Sequence, residues 1–507
     1  MKRLLIILAF FLVCLVSIAF FVKKPDNFVI AQSTNSSWPM VQGDVRHSGF
    51  VPQTVVPPYT KLWEIRRFPV SDRVQPIIAE NKVFLGSNNG RFYAVNTSNG
   101  SDAWSFDASS PIVSSAAYEG GKVFFGATDG WVYSLNAANG TLLWKYQTGG
   151  SIKGAPVVAE GKVFIGSSDG YLYALNESNG TLAWRYNTKA PIWDTPAFDN
   201  SKVFFCAMDS KGYAINSVNG SLAWSIQLNG QGCRDRWTVA GNGHVFFTPV
   251  LDISHHDPLS AGTQMFWSTA NPVIYNQPWS TQRQAILNLL ASRPDFQPLT
   301  VVNQQTGQKP FTPPVMYVSG GSQSSHSQVA LLPNGNAVVI YRRTFGEAAQ
   351  WGPTTNDAIV TGELDLTTGD IIPIDFCQPG GGGWANCGNY KGPYTSDESS
   401  ALTVSGNVVY LDIARGLVGL DRTNQRLLST LACFNPTSGG PFCDGAVVQY
   451  TDYQNVAAGG GWRVNYNDLY QETSSDGNNT KRPTPIVGDT FYVLHLSTLT
   501  AVKGSLR

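Results

Sequence analysis

Lys162-Val163-Phe164-Ile165-Gly166, then Ser168-Asp169-Gly170, Tyr171-Leu172-Tyr173-Ala174-Leu175-Asn176, Ser178-Asn179-Gly180 and Thr181-Leu182-Ala183-Trp184 form one stretch that decides the fold. The same frame runs from Lys82 to Trp104, from Lys122 to Trp144 and from Lys202 to Trp224, so its tryptophan returns every 40 residues. Each β-branched and aromatic run is about as long as one strand. Asp-Gly and Asn-Gly tolerate positive φ and suit the tight turns between right-twisted antiparallel strands. With Gly154-Ala155-Pro156-Val157-Val158 as a first run, one repeat makes a four-stranded antiparallel sheet. Such a sheet cannot bury both faces alone, and a radial array of these units is a β-propeller.

Working outward, the frame fades after Trp224 but returns in pieces. His244 to Phe247 with Val301-Val302-Asn303 marks a fifth unit, and Ala337 to Ile340 with Gly362 to Leu366 a sixth. Val408 to Leu411 with Leu417 to Asp421 marks a seventh, and Phe491 to Leu494 with Leu499 to Val502 an eighth that lacks its last strand. Lys61-Leu62-Trp63-Glu64 has the form of that missing strand. The expectation is an all-β chain, a single propeller over 38–507 with eight blades (seven being the alternative count), closed by pairing 61–65 with the last blade.

Gly166, Asp169, Gly170, Tyr173 to Asn176, Asn179, Gly180 and Trp184 carry a resemblance to the pyrroloquinoline-quinone-like (PQQ-like) β-propeller repeat family. Trp38-Pro39-Met40, Gly43-Asp44 and His47-Ser48-Gly49 resemble the opening segment of that family. The resemblance is strong over 38–230 and faint beyond. It implies one of two functions. Some relatives are quinoprotein dehydrogenases, in which PQQ stacks on a tryptophan beside a calcium ion and a carboxylate acts as base. Trp193 or Trp237 would then be the stacking floor, and Asp194, Asp235 or Glu398 the base. The adjacent cysteines that often cover the quinone are absent, and no Cys-x-x-Cys-His haem site occurs. Other relatives, such as the outer-membrane assembly lipoprotein, are catalytically silent propellers that bind proteins or peptides through one face. The second class is preferred, with no catalytic residue and no cofactor or metal assigned.

Lys+Arg and Asp+Glu are both 35, so net charge offers no case for nucleic acid. Lys2-Arg3 precedes an apolar run from Leu4 to Val22, which is long enough for a signal peptide or a membrane anchor within 1–33. Either implies an extracytoplasmic protein: periplasmic, cell-surface or secreted.

Apart from Cys14, six cysteines remain, an even number for an exported chain. Cys377 with Cys387 and Cys433 with Cys443 would each close a short loop. Cys206 ends the second strand of blade four and Cys233 begins the first strand of blade five. In a propeller those two points lie on one rim, with the connections after second and fourth strands. The three pairs 206–233, 377–387 and 433–443 are favoured, although other pairings are open. No pair has zinc-ligand spacing.

Large departures from the repeat fall on that rim as well. They are 252–298, 344–356, 377–398 and 433–482. Insertions gathered on one rim of a rigid scaffold point to a loop-rich binding face for a protein or small-molecule ligand. Within 252–298, Thr281 with Gln284 forms a capping box ahead of Ile286, Leu287, Leu289 and Leu290, which predicts a short helix. His255-His256-Asp257 does not make a metal site, because adjacent residues rarely converge on one ion.

Aligned starts of the innermost strands put Arg73, Val113, Lys153, Trp193, Asp235, Ser327, Glu398 and Arg482 at one level. Five of these are ionisable in a chain only 14% charged. With the neighbours Asp194 and His326, they form a candidate mixed-charge collar that either binds a ligand or pairs its own charges. Mass spectrometry of the unreduced protein should show Cys377–Cys387 and Cys433–Cys443 cross-links. Free thiols at those positions would argue against export.

Overall fold

The structure is a computed structural model. It describes residues 37–71, 73–230, 232–233, 237–249, 279–294, 297–315, 329–342, 359–373, 401–413, 416–423, 426–432, 484–495 and 498–507, all within the compact unit Thr34–Arg507. Eight sheets succeed one another along the chain as the blades of a propeller. Blade one is Ile77–Ala79, Lys82–Gly86, Arg91–Asn96 and Asp102–Asp107, ordered from inner edge to outer. Blades two, three and four repeat it, with inner strands Ala117–Glu119, Val157–Ala159 and Ala197–Asp199.

The fifth sheet is Val239–Gly241, His244–Phe247 and Thr300–Asn303, three strands among the described residues where four were expected. Blade six runs from Val329–Leu331 to Ile371–Pro373, and blade seven from Ala401–Ser405 to Arg426–Ala432. In blade eight the strand Val55–Arg66 pairs antiparallel with Thr498–Leu506, setting Lys61 opposite Val502 and Ile65 opposite Leu499. Two phenols lock this closing strand to blade seven: Tyr59 Oη lies 3.0 Å from Tyr410 Oη, and Tyr410 donates to the Val55 carbonyl.

Neighbouring blades are joined by the repeat's tryptophan. Trp104 Nε1 donates to the Ala137 carbonyl at 3.0 Å, Trp144 to Glu177 at 2.9 Å and Trp184 to Ser217 at 2.9 Å, each in the Asn-Gly turn of the following blade. The indole lies flat on the glycine of that turn. A Cβ on Gly140 would fall 2.5 Å from the Trp104 ring, and the turn holds this glycine at φ +75°. Glycine therefore serves here both for close approach and for backbone conformation. Trp63 closes the ring in the same way on the Thr97 carbonyl of blade one at 2.7 Å. In blade five Phe311 takes the tryptophan's place, packing over Gly369 of blade six.

The segment Trp38–Val51 was expected only as an opening stretch. It is a strap that runs around the axis inside the ring. Near the hairpin end of the inner strand one residue turns its N–H away from its partner strand, toward the axis. The strap's carbonyls accept these donors in blade order. Ile78 donates to Trp38, Tyr118 to Pro39, Phe198 to Val45, Ala240 to Arg46, Leu331 to Ser48 and Val404 to Gly49, all between 2.7 and 3.0 Å. Met40 packs with Val157 and Val158 of blade three. The strap ends as Phe50–Val51, parallel to Ala401–Ser405, before the chain enters blade eight. Its bonds fall beside the hairpins that follow the first strands, so it lies toward the rim those hairpins form.

The helix in the blade-five insertion spans Trp279–Ser292, with Ile286 and Leu290 buried. It begins two residues before Thr281, and Gln284 Nε2 donates to Asn288 Oδ1 at 3.0 Å, so these two residues lie inside the helix instead of capping it.

Removing one docking indole should be felt across a blade joint. Trp144→Ala should cost about 3–5 kcal/mol, and Trp144→Phe, which keeps a ring over Gly180, roughly 1–2 kcal/mol. Denaturant unfolding measures both. Equal small losses would show that the indole does not hold the blades together.

Candidate functional site

The other rim carries the connections that follow second and fourth strands. In blade one they meet through Ala108 N–H donating to Gly90 O at 2.8 Å and Ile112 N–H to Ser87 O at 3.0 Å. Toward the axis, adjacent blades are laced by residues 40 positions apart. Gln75 N–H donates to Ser115 Oγ at 2.7 Å, and Ala155 N–H to Thr195 Oγ1 at 2.9 Å. Blades three and four approach so closely that a Cβ on Gly154 would sit 2.2 Å from the Asp194 carbonyl oxygen.

Arg73, Lys153 and Trp193 lie half-buried at this level. The structure brings Lys153 and Trp193 together: the ammonium sits 4.3 Å from the indole centroid. Trp193 Nε1 donates to Ser168 Oγ at 2.9 Å, and Ser168 Oγ donates to the Ser151 carbonyl at 2.8 Å. The result is a cation held on an aromatic platform, an attraction of about 0.5–1 kcal/mol at an exposed site. Arg73, two blades away, has its carbonyl bonded by Ser115 Oγ at 3.3 Å.

Asp194 lies beneath this surface, not on it. It is 1% exposed, and its Oδ2 accepts from Cys206 N–H at 2.9 Å and Thr238 Oγ1 at 2.6 Å. Burial pushes its carboxyl up to about 7, against the opposing pull of these donors. The disulfide Cys206–Cys233, with Cα atoms 5.6 Å apart, fixes the same corner. The remaining collar positions Asp235, His326, Glu398 and Arg482, and the cysteines Cys377, Cys387, Cys433 and Cys443, lie outside the described residues, as does His255-His256-Asp257.

Below the collar is a polar group that sequence reasoning missed. Gln42 of the strap is fully buried. Its N–H donates to Gln75 Oε1 at 2.8 Å, its Oε1 accepts from Trp237 Nε1 at 2.6 Å, and its Nε2 reaches the Val329 carbonyl at 3.4 Å. One strap residue thus spans blades one, five and six, its backbone reaching blade one and its side chain the other two. His47, also fully buried, places Nδ1 2.6 Å from the Thr238 carbonyl. Neither carried a signal of its own in the sequence beyond its place in the opening run Trp38 to Gly49.

Among the described residues, the side chains named for a quinone site are engaged otherwise. Trp193 carries Lys153 on its ring, the Trp237 indole is tied to Gln42, and no three or more His, Cys, Asp or Glu side chains converge among the described residues. Of the proposed bases, Asp194 is enclosed, and Asp235 and Glu398 lie outside the described residues.

Residues 56–154 and 148–248 match the family described as outer membrane protein assembly factor BamB. No curated protein matches the chain. Among solved structures, the quinohemoprotein alcohol dehydrogenase of Comamonas testosteroni aligns at a TM-score of 0.53 and 13% identity, over 80% of this chain and 74% of that one. A europium-containing methanol dehydrogenase aligns at 0.52 and 11% identity, over 79% and 86%. BamB from Moraxella catarrhalis aligns at 0.49 and 13% identity, over 88% and 99%. At these identities the structural likeness is one of fold.

The Asp194 carboxyl has a testable sign. Its folded value stands above its ordinary value of 3.8, so the ionised group destabilises the fold increasingly as pH rises from about 4 to about 7. Asp194→Asn keeps the shape without the charge. Its stability relative to the native protein should therefore rise by roughly 3 kcal/mol between pH 5 and pH 8, measured by denaturant unfolding at each pH. A difference independent of pH would mean that Asp194 ionises as freely folded as unfolded.

Proposed function

The chain is a propeller of PQQ-like repeats, and we propose that it is an extracytoplasmic binding scaffold that holds a protein partner or ligand on its loop rim. The observation that carries this reading is the pairing of two opposite ends. The strap bonds the inner strands beside the hairpin rim, while the Lys153–Trp193 platform stands at the other, where the longest connections leave the sheets. The family matched by residues 56–248 is described as an assembly factor, which accords with a partner-binding role and an outer-membrane setting. The disulfide accords with an oxidising compartment. Arg73, Lys153 and Trp193 would contact the partner with Asp235, His326, Glu398 and Arg482, and Asp194 would support them from beneath. Attachment to a membrane through residues 4–22 belongs to the same proposal.

A photoreactive amino acid in place of Arg73 or Val113 should cross-link a discrete partner in cells, and one in place of Glu160 or Lys162 on the hairpin rim should not. Lys153→Ala should weaken that capture, and added salt should weaken it further, since screening acts over about 8 Å at 0.15 M. The melting temperature should stay nearly constant. If purified protein instead binds PQQ with calcium and reduces a dye in the presence of an alcohol, the scaffold reading is wrong. Equal cross-linking from both rims would also overturn it.

A further inference from the structure

Three parts of the molecule are fastened to one residue. Thr238, 1% exposed, donates its N–H to the Thr195 carbonyl of blade four at 3.1 Å and its hydroxyl to Asp194 at 2.6 Å, and its carbonyl receives the strap through His47. A carbonyl can only accept, so the proton of neutral His47 is on Nδ1. Nε2 is then a bare lone pair, and it is enclosed without a partner. A second proton on the ring would create a buried N–H⁺ facing no acceptor, which is far costlier than an unmet lone pair. Burial holds the imidazole down at about 4, with Asp44 pulling weakly the other way.

Among the described residues, the other charged groups near this joint do not supply the missing acceptor. Asp44 on the strap is used by Arg46 N–H at 2.9 Å and by Ser48 Oγ at 2.6 Å, and lies 3.6 Å from the Arg46 guanidinium. Asp199 of blade four accepts from Gln304 Nε2 at 2.8 Å. Asp194 is reached only through Thr238. The inner strand of blade five, Val239–Gly241, has no charged side chain.

We propose that the strap is an acid-released plug: protonation of His47 frees Arg46 to Val51 from blades five, six and seven while the ring itself stays closed. The outer joints made by Trp63, Trp104, Trp144, Trp184, Trp224 and Phe311, and the closure by Val55–Arg66, use no residue of Arg46 to Val51. The strap between His47 and Gly49 is also held in a costly backbone, with His47 itself at φ +59°. Released strap would uncover the axis-facing N–H groups of Ala240, Leu331 and Val404.

The sign follows from linkage. His47 stands below its ordinary value when docked, so the docked state is fully favoured above about pH 6.5 and loses ground as pH falls toward 4. At pH 4.5 the population of released strap should exceed that at pH 7.5 by one to two orders of magnitude. Amide hydrogen exchange on the full chain reads this directly. Protection factors, corrected for intrinsic rate, should drop at least tenfold at Ala240, Leu331 and Val404. Those at Ile78 and Tyr118, capped by the other end of the strap, should drop much less, and those in the outer sheets not at all. His47→Gln, which can still donate to Thr238 but cannot gain charge, should abolish the drop. Uniform loss around the ring, no loss, or the same loss in the variant would each overturn the proposal. Should the variant fail to fold, histidine C2 hydrogen exchange on the native protein decides the matter. A His47 that titrates near 6.5 without any change in strap protection refutes the plug.

Discussion

Blades one to four of this ring each depend on a contact they do not make within themselves. The indole of one outer strand must lie on the Asn-Gly turn of the next blade, close enough that no side chain larger than hydrogen fits beneath it. Trp104, Trp144 and Trp184 also each donate to a carbonyl of that turn, so apolar burial and a directed hydrogen bond act at the same point. This constraint explains why tryptophan, asparagine and glycine keep their spacing in the repeat while exposed positions such as Leu142 and Val218 drift. It also explains why the fold is one body: a blade whose indole has no following turn leaves a large apolar surface in water.

The blade frame was legible because this docking is local in sequence, about 33 residues from indole to turn in blades one to four. Where the frame is broken, legibility failed in part. Trp224 docks on Gln304, 80 residues away, across the blade-five insertion, and Phe311 replaces the next tryptophan, so the frame lost its spacing and then its marker. The Cys206–Cys233 bridge was readable because both cysteines sit at strand ends of known rim. The strap was not readable. Its contacts go from backbone carbonyls to inner strands up to several hundred residues away, and backbone pairing leaves no side-chain period to detect.

The candidate site divides along the same line. Alignment of strand starts placed Lys153 and Trp193 at one level because they are register positions in adjacent blades. It could not tell an exposed position from the one after it, and Asp194 proves to be a buried brace. Thr238 and Gln42 had no marker at all, since a threonine and a glutamine carry no charge pattern. Their importance arises only where the strap, blade four and blade five converge.

The closing strand has a further consequence during synthesis. Val55–Arg66 is made early but has no strand partner until Thr498–Leu506 has been made, and its Val55, Tyr59 and Trp63 are buried in the finished ring. Through nearly the whole of translation these apolar residues and an unpaired strand edge stay available to chaperones and proteases. A chain that stops short of residue 498 therefore keeps that display permanently. The ring carries in its first strand a test of whether its last one has arrived.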